Sequence, residues 1–380
     1  MNAIYLDHAA TTPIHPAVVE RMTEILTSHY GNPSSIHSYG RKARQLLDQS
    51  RRVCADSIGA NEKEIIFTSG GTEADNLAIL GTAFANKEKG RHIITTKIEH
   101  HATLHTAQYL ERNGYEVTYL DVTENGTIDL EELKRNLSDQ TILVSIMMVN
   151  NETGVIQPMK QIGEILSNHG AYFHTDAVQG YGLLEIDVNE LQVDLLSVSS
   201  HKINGPKGLG FLYAREDVAI QSLQFGGEQE RKRRAGTENV AGIVGFETAI
   251  QLADSERAEK INLYQKFRAI FIDTLKEHHI DFTVNGDKAE RVPNIINLSF
   301  PNMNVEKLLT NFDLSGVAAS SGSACTAGSV EPSHVLTAMY EADHPCTTNS
   351  IRFSFGLANN EENVKEAAER VAAIIQRLSK

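Results

Sequence analysis

Three short segments carry side chains that could perform chemistry, and each follows an apolar run of strand-like residues. The first, IFTSGGTEADN (66–76), passes through Gly71 and Thr72 into a helix-compatible stretch. Glycine lets the backbone approach an anion closely, and a helix N-terminus offers unpaired N–H groups. The segment therefore predicts a phosphate site, with a plain strand-to-helix turn as the alternative. It is neither a Walker loop nor a GxGxxG motif, so nucleotide binding is not indicated.

The second segment, HTDAVQG (174–180), places Asp176 at the end of an apolar run, with Gln179 close behind it. Ligand sites of open α/β sheets lie outside the carboxyl ends of the strands. A carboxylate at such a position would suit the protonated ring nitrogen of a cofactor that accepts electrons. Capping of a helix N-terminus is the plainer alternative for Asp176.

The third segment, DLLSVSSHKINGPKGLG (194–210), brings Ser199, His201 and Lys202 to the end of another apolar run. Burial of an ammonium group costs several kcal/mol unless the charge is neutralised or used. A Schiff base with an aldehyde cofactor would remove the charge of Lys202 and give it a role in catalysis. An exposed lysine in a glycine-rich loop is the alternative. Three such segments at three strand ends favour one shared ligand site.

One cysteine, Cys325, lies in a segment rich in serine, alanine and glycine, LSGVAASSGSACTAGS (314–329). Such a segment buries little apolar surface, so we expect a mobile loop that carries the thiol between a substrate and an external acceptor. A buried, unreactive cysteine is the alternative. Cys54 and Cys346 add no spacing typical of a metal site, and the cysteine usage indicates a reducing, cytoplasmic compartment and no bound metal.

The composition disfavours several other classes of protein. The 380 residues include 35 Lys and Arg against 49 Asp and Glu, a net charge of −14, which argues against nucleic-acid binding as a primary role. The N-terminal residues do not resemble a secretory signal, and no apolar run approaches the length of a membrane span. We therefore expect a cytoplasmic protein that binds neither nucleic acid nor membrane directly.

Strand-like and helix-like segments alternate along most of the chain, which predicts an α/β fold with a mostly parallel sheet covered by helices. After about residue 255 the pattern changes, and a smaller α+β domain is expected. The predicted division is a large domain (15–254) and a small domain formed by 1–14 and 255–380. The predicted strands are 64–68, 92–96, 116–120, 141–149, 171–177, 194–200, 281–284 and 294–299, and the predicted helices are 73–86, 102–113, 129–136, 158–169, 254–278, 304–312 and 360–379.

The chain contains a series of short motifs: YLDHAATTP (5–13), YGNPSSIHSYG (30–40), TSGGTEADN (68–76), NNETG (150–154), HTDAVQ (174–179), SSHKINGPKG (199–208), RRAGTEN (233–239) and SSGSACTAG (320–328). In this order and spacing they resemble the NifS/IscS family of cysteine desulfurases, within the class V pyridoxal-phosphate-dependent aminotransferase superfamily. The resemblance runs essentially end to end. It implies the aspartate-aminotransferase-like fold of fold type I enzymes, with a mostly parallel seven-stranded sheet in the large domain.

The resemblance also implies a role for each residue. Lys202 would bind pyridoxal 5'-phosphate and move the substrate's Cα proton, and Cys325 would accept the sulfur. Asp176 would pair with the pyridine nitrogen. His100 would stack on the ring and accept a thiol proton, with the adjacent His101 as an alternative. The other implied contacts are Gly71, Thr72, Ser199 and His201 for the phosphate, Thr237 for the phosphate of the other subunit in a homodimer, Gln179 and Asn151 for the ring oxygen, and Arg352, Asn32 and Asn151 for the substrate.

These roles imply that sulfur is removed from L-cysteine, giving L-alanine and a persulfide on Cys325. The SSGSAC motif resembles the group with a long cysteine loop, which implies transfer of sulfur to an acceptor protein such as an iron–sulfur scaffold or a tRNA thiolase. A selenocysteine lyase and a class V aminotransferase are the alternative enzymes. A sulfur-carrier subunit without catalysis is a further alternative, but it would have no use for Lys202 and Asp176.

Overall fold

The computed structural model describes residues 3–322 and 332–379, and its centre is a seven-stranded sheet. The strands of these residues are β1 (Ile4–Tyr5), β2 (Ile65–Thr68), β3 (His92–Thr96), β4 (Glu116–Leu120), β5 (Thr141–Ser145), β6 (Tyr172–Asp176), β7 (Leu195–Ser199), β8 (Gly210–Ala214), β9 (Thr283–Val284), β10 (Ile295–Ser299), β11 (Val317–Ala318) and β12 (Ser350–Ser354). The central sheet has the order β2-β8-β7-β6-β5-β3-β4. Only β8 runs antiparallel to its neighbours, so the predicted mostly parallel seven-stranded sheet is confirmed.

Helices cover the central sheet, and β2, β3, β5, β7 and β8 are buried at every residue. Strands covered on both faces in this way are typical of α/β proteins. Within the described ranges, no helix is both long and apolar enough to cross a membrane. The helices are α1 (Pro16–Ser28), α2 (Ser38–Asp56), α3 (Gly71–Ala85), α4 (His101–Arg112), α5 (Leu130–Asn136), α6 (Met159–Leu166), α7 (Val240–Ser255), α8 (Arg257–Glu277), α9 (Val305–Leu314), α10 (His334–Tyr340), α11 (Cys346–Asn349) and α12 (Glu361–Leu378).

A second hydrophobic core lies around a smaller sheet in the C-terminal part of the chain. Strand β10 pairs with β9 and β12 in antiparallel fashion, and β1 pairs with β11. Helices α8 and α12 pack against each other, and the rings of Phe271 and Phe353 lie 4.7 Å apart in the core. Ile4 and Leu6 belong to this core as well. On this basis we propose the domain division predicted from the sequence, with 1–14 joined to 255–380.

The structure differs from the predicted elements at several points. The predicted strand 141–149 ends at Ser145, although Ile146 and Met148 still donate backbone hydrogen bonds to β6 and Val149 forms an isolated bridge with Ile156. The predicted helix 254–278 corresponds to α8, which begins at Arg257, and the helix before it, α7, was not predicted. Strand β8 follows a glycine-rich turn and was not predicted.

A buried ion pair joins helix α2 to the segment after β8. Arg51 and Glu230 form two hydrogen bonds of 2.7 Å, and the Glu230 carboxylate also accepts the N–H of Phe67 in β2. The pair holds an unusual backbone, because Glu230, Arg231 and Lys232 have φ values of 47°, 55° and 65°. Residues other than glycine rarely adopt this left-handed conformation, so the contacts of Glu230 must offset the free-energy cost of the strained backbone.

We expect Arg51→Ala to lower the free energy of unfolding by about 3–5 kcal/mol, because it leaves the Glu230 carboxylate buried without a cation. Arg44→Ala is the matched control on the same helix, since the Arg44–Asp48 pair is exposed. The control should lose less than about 1 kcal/mol. Urea unfolding measures both values, and equal losses would contradict this interpretation of the pair.

Candidate active site

A cleft of about 390 Å³ lies at the carboxyl ends of the parallel strands. Five strands each contribute a lining residue at or after their carboxyl end: Gly71 after β2, His100 after β3, Asn151 after β5, Asp176 at the end of β6, and Lys202 after β7. Carboxyl ends of parallel strands meet at one edge of a sheet, which explains why residues far apart in sequence share the cleft. Thr72, Gln179, His201 and Arg352 also line it.

Lys202 ends a short 3-10 turn, Ser200–Lys202, that continues from β7. Its Nζ donates hydrogen bonds to the carbonyl oxygens of Ala9 and Ala10, at 2.5 and 2.8 Å. The carbonyl of Ala9 also accepts a 2.9 Å hydrogen bond from Nε2 of Gln179. The N-terminal segment therefore helps to hold the amine at the cleft through backbone acceptors.

Asp176 is 7% exposed, and its Oδ1 accepts the N–H of Val178 at 2.9 Å. Burial raises the pKa of Asp176 to about 6, while the hydrogen bond from Val178 and the positive charge of Lys202 act in the opposite direction. A buried carboxylate of this kind favours a cationic partner, which a protonated ring nitrogen would supply.

The start of α3 forms an anion cradle. Gly70, with φ 146°, has a backbone that favours glycine, and the helix begins at Gly71. A Cβ on Gly71 would lie 2.8 Å from Cγ2 of Val178 and 3.7 Å from Cβ of Ser199, so a larger residue would fill the cradle. The helix N-terminus and its free N–H groups suit a phosphate group.

His100 is the N-cap of α4, and its Nδ1 accepts the N–H of Ala102 at 3.1 Å. Burial, together with the nearby positive charge of Lys202, lowers the pKa of His100 to about 4. The ring is therefore neutral at physiological pH and available for stacking. His101, the alternative from the sequence, also lines the cleft, and its ring centroid lies 6.2 Å from that of His100.

Arg352 projects from β12 and is held by acceptors on two sides. One Nη donates to the carbonyl of Asn151 at 2.9 Å, and the other donates to Oδ1 of Asp7 at 2.7 Å. The backbone of Arg352 also exchanges two hydrogen bonds with Ser320. Oδ1 of Asn151 is buried and has no hydrogen-bond partner in the described part of the chain. The guanidinium is thus fixed at the cleft and able to bind a carboxylate in a bidentate manner.

Some predicted site residues lie elsewhere. Asn32 is exposed, where its Oδ1 accepts the N–H of Ser34, and Thr237 lies on an exposed loop before α7; neither lines the cleft of this chain. Ser199 is buried beside the glycines of the cradle. Cys325 lies outside the described residues. The roles of all these side chains stay predictions.

Sequence reasoning missed several lining residues: Asp7, Asp75, Glu152 and His334. Asp75 is buried, and burial together with the charge of Asp176 raises its pKa well above the usual range. Glu152 accepts a hydrogen bond from the Ser333 hydroxyl. Asp75 and Glu152 belong to motifs in which other residues were predicted to form the site, and their place at the cleft depends on the fold.

The chain belongs to the class V aminotransferase family. The family model described as "Aminotransferase class-V" matches residues 4–366. The chain is 60% identical over 379 residues to "Putative cysteine desulfurase IscS 1" of Bacillus subtilis, with full coverage of both chains. It is 49% identical over 381 residues to "Cysteine desulfurase IscS" of Methanosarcina thermophila, covering 99% of this chain and 93% of that protein. The predicted resemblance to the NifS/IscS family is confirmed.

Solved structures agree with this assignment. A "NifS-like protein" superimposes with a TM-score of 0.92 at 35% identity, covering 99% of this chain and all of that chain. "SspA in complex with cysteine" superimposes with a TM-score of 0.80 at 35% identity, covering 92% of this chain and 98% of that chain. The predicted aspartate-aminotransferase-like fold of type I enzymes is confirmed.

Pyridoxal phosphate, the cofactor of this family, fits the residues of the cleft. Lys202 offers an amine for its aldehyde, Asp176 offers a carboxylate for its ring nitrogen, and the cradle at Gly71 offers N–H groups for its phosphate. His100 offers a neutral ring for stacking, and the buried Oδ1 of Asn151 has no partner among the described residues. These donor and acceptor types match the functional groups of the cofactor.

The pKa of His100 generates a testable pH dependence. Because its folded pKa of about 4 lies below the unfolded value of 6.5, the ligand-free folded protein binds fewer protons than the unfolded chain between these pH values. Stability contributed by His100 is therefore present above pH 6.5 and lost as the pH falls to 4. His100→Asn keeps a capping side chain but cannot titrate. Its free energy of unfolding should therefore fall by roughly 2–3 kcal/mol less over this pH range than that of the unmodified protein.

Urea unfolding of the ligand-free protein at several pH values would measure this difference. His105→Asn, at an exposed position on the same helix, is the matched control and should follow the unmodified protein. An identical pH slope for His100→Asn and the unmodified protein would contradict a buried, neutral His100.

Proposed function

We propose that this protein is a cysteine desulfurase that converts L-cysteine to L-alanine and leaves the sulfur as a persulfide on Cys325. The observation that carries the proposal is the convergence of Lys202, Asp176 and Arg352 on one cleft beside the anion cradle. Full-length relatives named cysteine desulfurases, at 45–60% identity, support the choice of substrate.

The cleft residues divide the work of substrate binding and proton transfer. Arg352 binds the substrate carboxylate, which replaces the carboxylate of Asp7 as its partner. Lys202 takes the proton from Cα, and the bound pyridoxal phosphate supplies the electron sink that stabilises the resulting charge. Asp176 in its ionised form keeps the ring nitrogen protonated. The neutral imidazole of His100 accepts a proton from a thiol.

The sulfur step needs Cys325 as a thiolate. Its sulfur forms a bond with the substrate's sulfur while the carbon–sulfur bond of the substrate breaks. The electron pair left on the substrate is protonated, and alanine departs. Gly322 and His334, the cleft residues on either side of the segment that contains Cys325, support a place for the thiol near the substrate.

We propose further that the protein is a cytoplasmic homodimer, with Thr237 of one subunit reaching the phosphate of the other. Thr237 is exposed in this chain, and the loop before it is tied to the first turn of α3 by a 2.8 Å ion pair between Arg234 and Glu73. The persulfide passes to an acceptor protein, either an iron–sulfur scaffold or a tRNA thiolase. Selenocysteine lyase and aminotransferase activity are the alternative functions. An aminotransferase would not need Cys325, so full activity of a Cys325 variant would favour that alternative.

Cys325→Ser should still bind the cofactor, with its visible absorption intact, but it should lose sulfide release from L-cysteine in the presence of a reducing thiol. The hydroxyl cannot accept sulfur to form a persulfide. Cys54→Ser and Cys346→Ser are the controls, because both thiols are buried away from the cleft. Normal sulfide release by Cys325→Ser would eliminate the persulfide role.

A mixture of two inactive variants tests the shared site. In a dimer of one Lys202→Ala subunit and one Thr237→Ala subunit, one of the two sites has both residues intact. Random mixing should therefore restore roughly a quarter of the sites. Mixing Lys202→Ala with Asp176→Asn is the control, since both residues lie in the same chain's cleft. Equal recovery in the two mixtures, or none in either, would contradict the contribution of Thr237 across the dimer.

A further inference from the structure

A second, smaller cavity, of about 40 Å³, adjoins the active-site cleft. Lys202 and Gln179 line both spaces, so the cavity reaches the proposed catalytic amine from a second direction. The remaining lining includes His8, Asn294 and Lys260. None of these three side chains lines the cleft, and the proposed reaction gives them no role.

The lining of this cavity includes buried polar side chains that lack hydrogen bonds of acceptable geometry within the described part of the chain. His8 is 3% exposed, and neither of its ring nitrogens has a hydrogen bond of acceptable geometry to any described residue. Oδ1 of Asn294 is buried and likewise has no partner in the described ranges. Buried polar groups are almost always hydrogen-bonded, by protein or by ordered water. A cavity of this size can hold at least one water molecule.

The backbone around His8 is shaped to accommodate the imidazole. The N–H of Ala9 donates to the hydroxyl of Ser354 at 2.8 Å, which fixes the chain beside β12. A Cβ on Gly356 would lie 2.2 Å from Nδ1 of His8, so glycine at this position makes room for the ring. The ring lies near the backbone of Tyr5 and the side chain of Asn359, but it forms no hydrogen bond of acceptable geometry with any described residue, so its nitrogens can bind ordered water.

We infer that this cavity is a buried water site through which the amine of Lys202 exchanges protons with the imidazole of His8. The inference rests on the proposed function, in which Lys202 carries the proton from the substrate's Cα. The Lys202 ammonium gives a proton to a water oxygen, and that water gives a different proton to one ring nitrogen of His8. His8 then releases the proton from its other nitrogen to a second water, and no bond besides O–H and N–H changes.

The surroundings suit a relay of this kind. Burial lowers the pKa of His8 to about 4, so the ring is neutral and presents one donor and one acceptor nitrogen. Lys260 also lines the cavity, is paired with Glu256 at 3.0 Å and is partly exposed, so the lining includes a residue in contact with solvent. Tyr181 and Tyr264 complete the ionisable lining, and burial raises the pKa of both.

The relay can be tested by following the substrate's Cα hydrogen. The cofactor-loaded enzyme would be given L-cysteine carrying deuterium at Cα in ordinary water, and the deuterium at Cα of the alanine would be measured by mass spectrometry. His8→Phe should retain deuterium several-fold more often than the unmodified enzyme, because Lys202 exchanges its protons more slowly. Equal retention would overturn the inference. Absence of alanine from the unmodified enzyme would instead overturn the proposed function.

His92→Phe is the matched control, because His92 is also a buried histidine but has hydrogen bonds to Thr141 and Thr118 and lies at the opposite end of β3 from the cleft. It should leave deuterium retention unchanged. If His8→Phe does not fold, Asn294→Leu removes another polar atom of the cavity and should also raise retention. A crystal structure of the unmodified enzyme should show water bound to His8, and a dry cavity would overturn the inference.

Discussion

The active site depends on the burial of one carboxylate near one amine. Asp176 is almost completely buried, and the positive charge of Lys202 is among the interactions that favour its ionised form. Lys202 in turn is held by the carbonyls of Ala9 and Ala10, which belong to the N-terminal segment rather than to the central sheet. Placing this amine therefore requires Ala9 and Ala10 to lie at the cleft, and β1 fixes the segment before them by pairing with β11.

Arg352 connects the cleft to the smaller sheet, because it belongs to β12. Its guanidinium bridges Asp7 and Asn151, and its backbone is paired with Ser320. A substrate carboxylate that displaces Asp7 would thus bind a residue that also contacts Asn151, after β5, and Ser320. Arg352 therefore connects the substrate site with both the N-terminal segment and the smaller sheet.

The sequence predicts best those features that are local. Lys202, Asp176 and Gly71 each stand at the end of an apolar run, and parallel strands must bring such ends together. Asp7 and His8 could not be predicted in this way, since their partners in β12 and after it lie more than three hundred residues away. Strand β8 could not be predicted for a different reason, because its short apolar run directly follows a glycine-rich turn. The length of β5 depends on tertiary contacts that the periodicity of the sequence does not show.

The most direct test of this account is one incubation of the purified, cofactor-loaded protein with L-cysteine and no added acceptor. Alanine would be quantified together with the mass of the peptide that contains Cys325. The account predicts alanine and, in the first turnover, an equal amount of that peptide heavier by one sulfur atom. Bound cofactor without alanine, or alanine without added sulfur on that peptide, would contradict it.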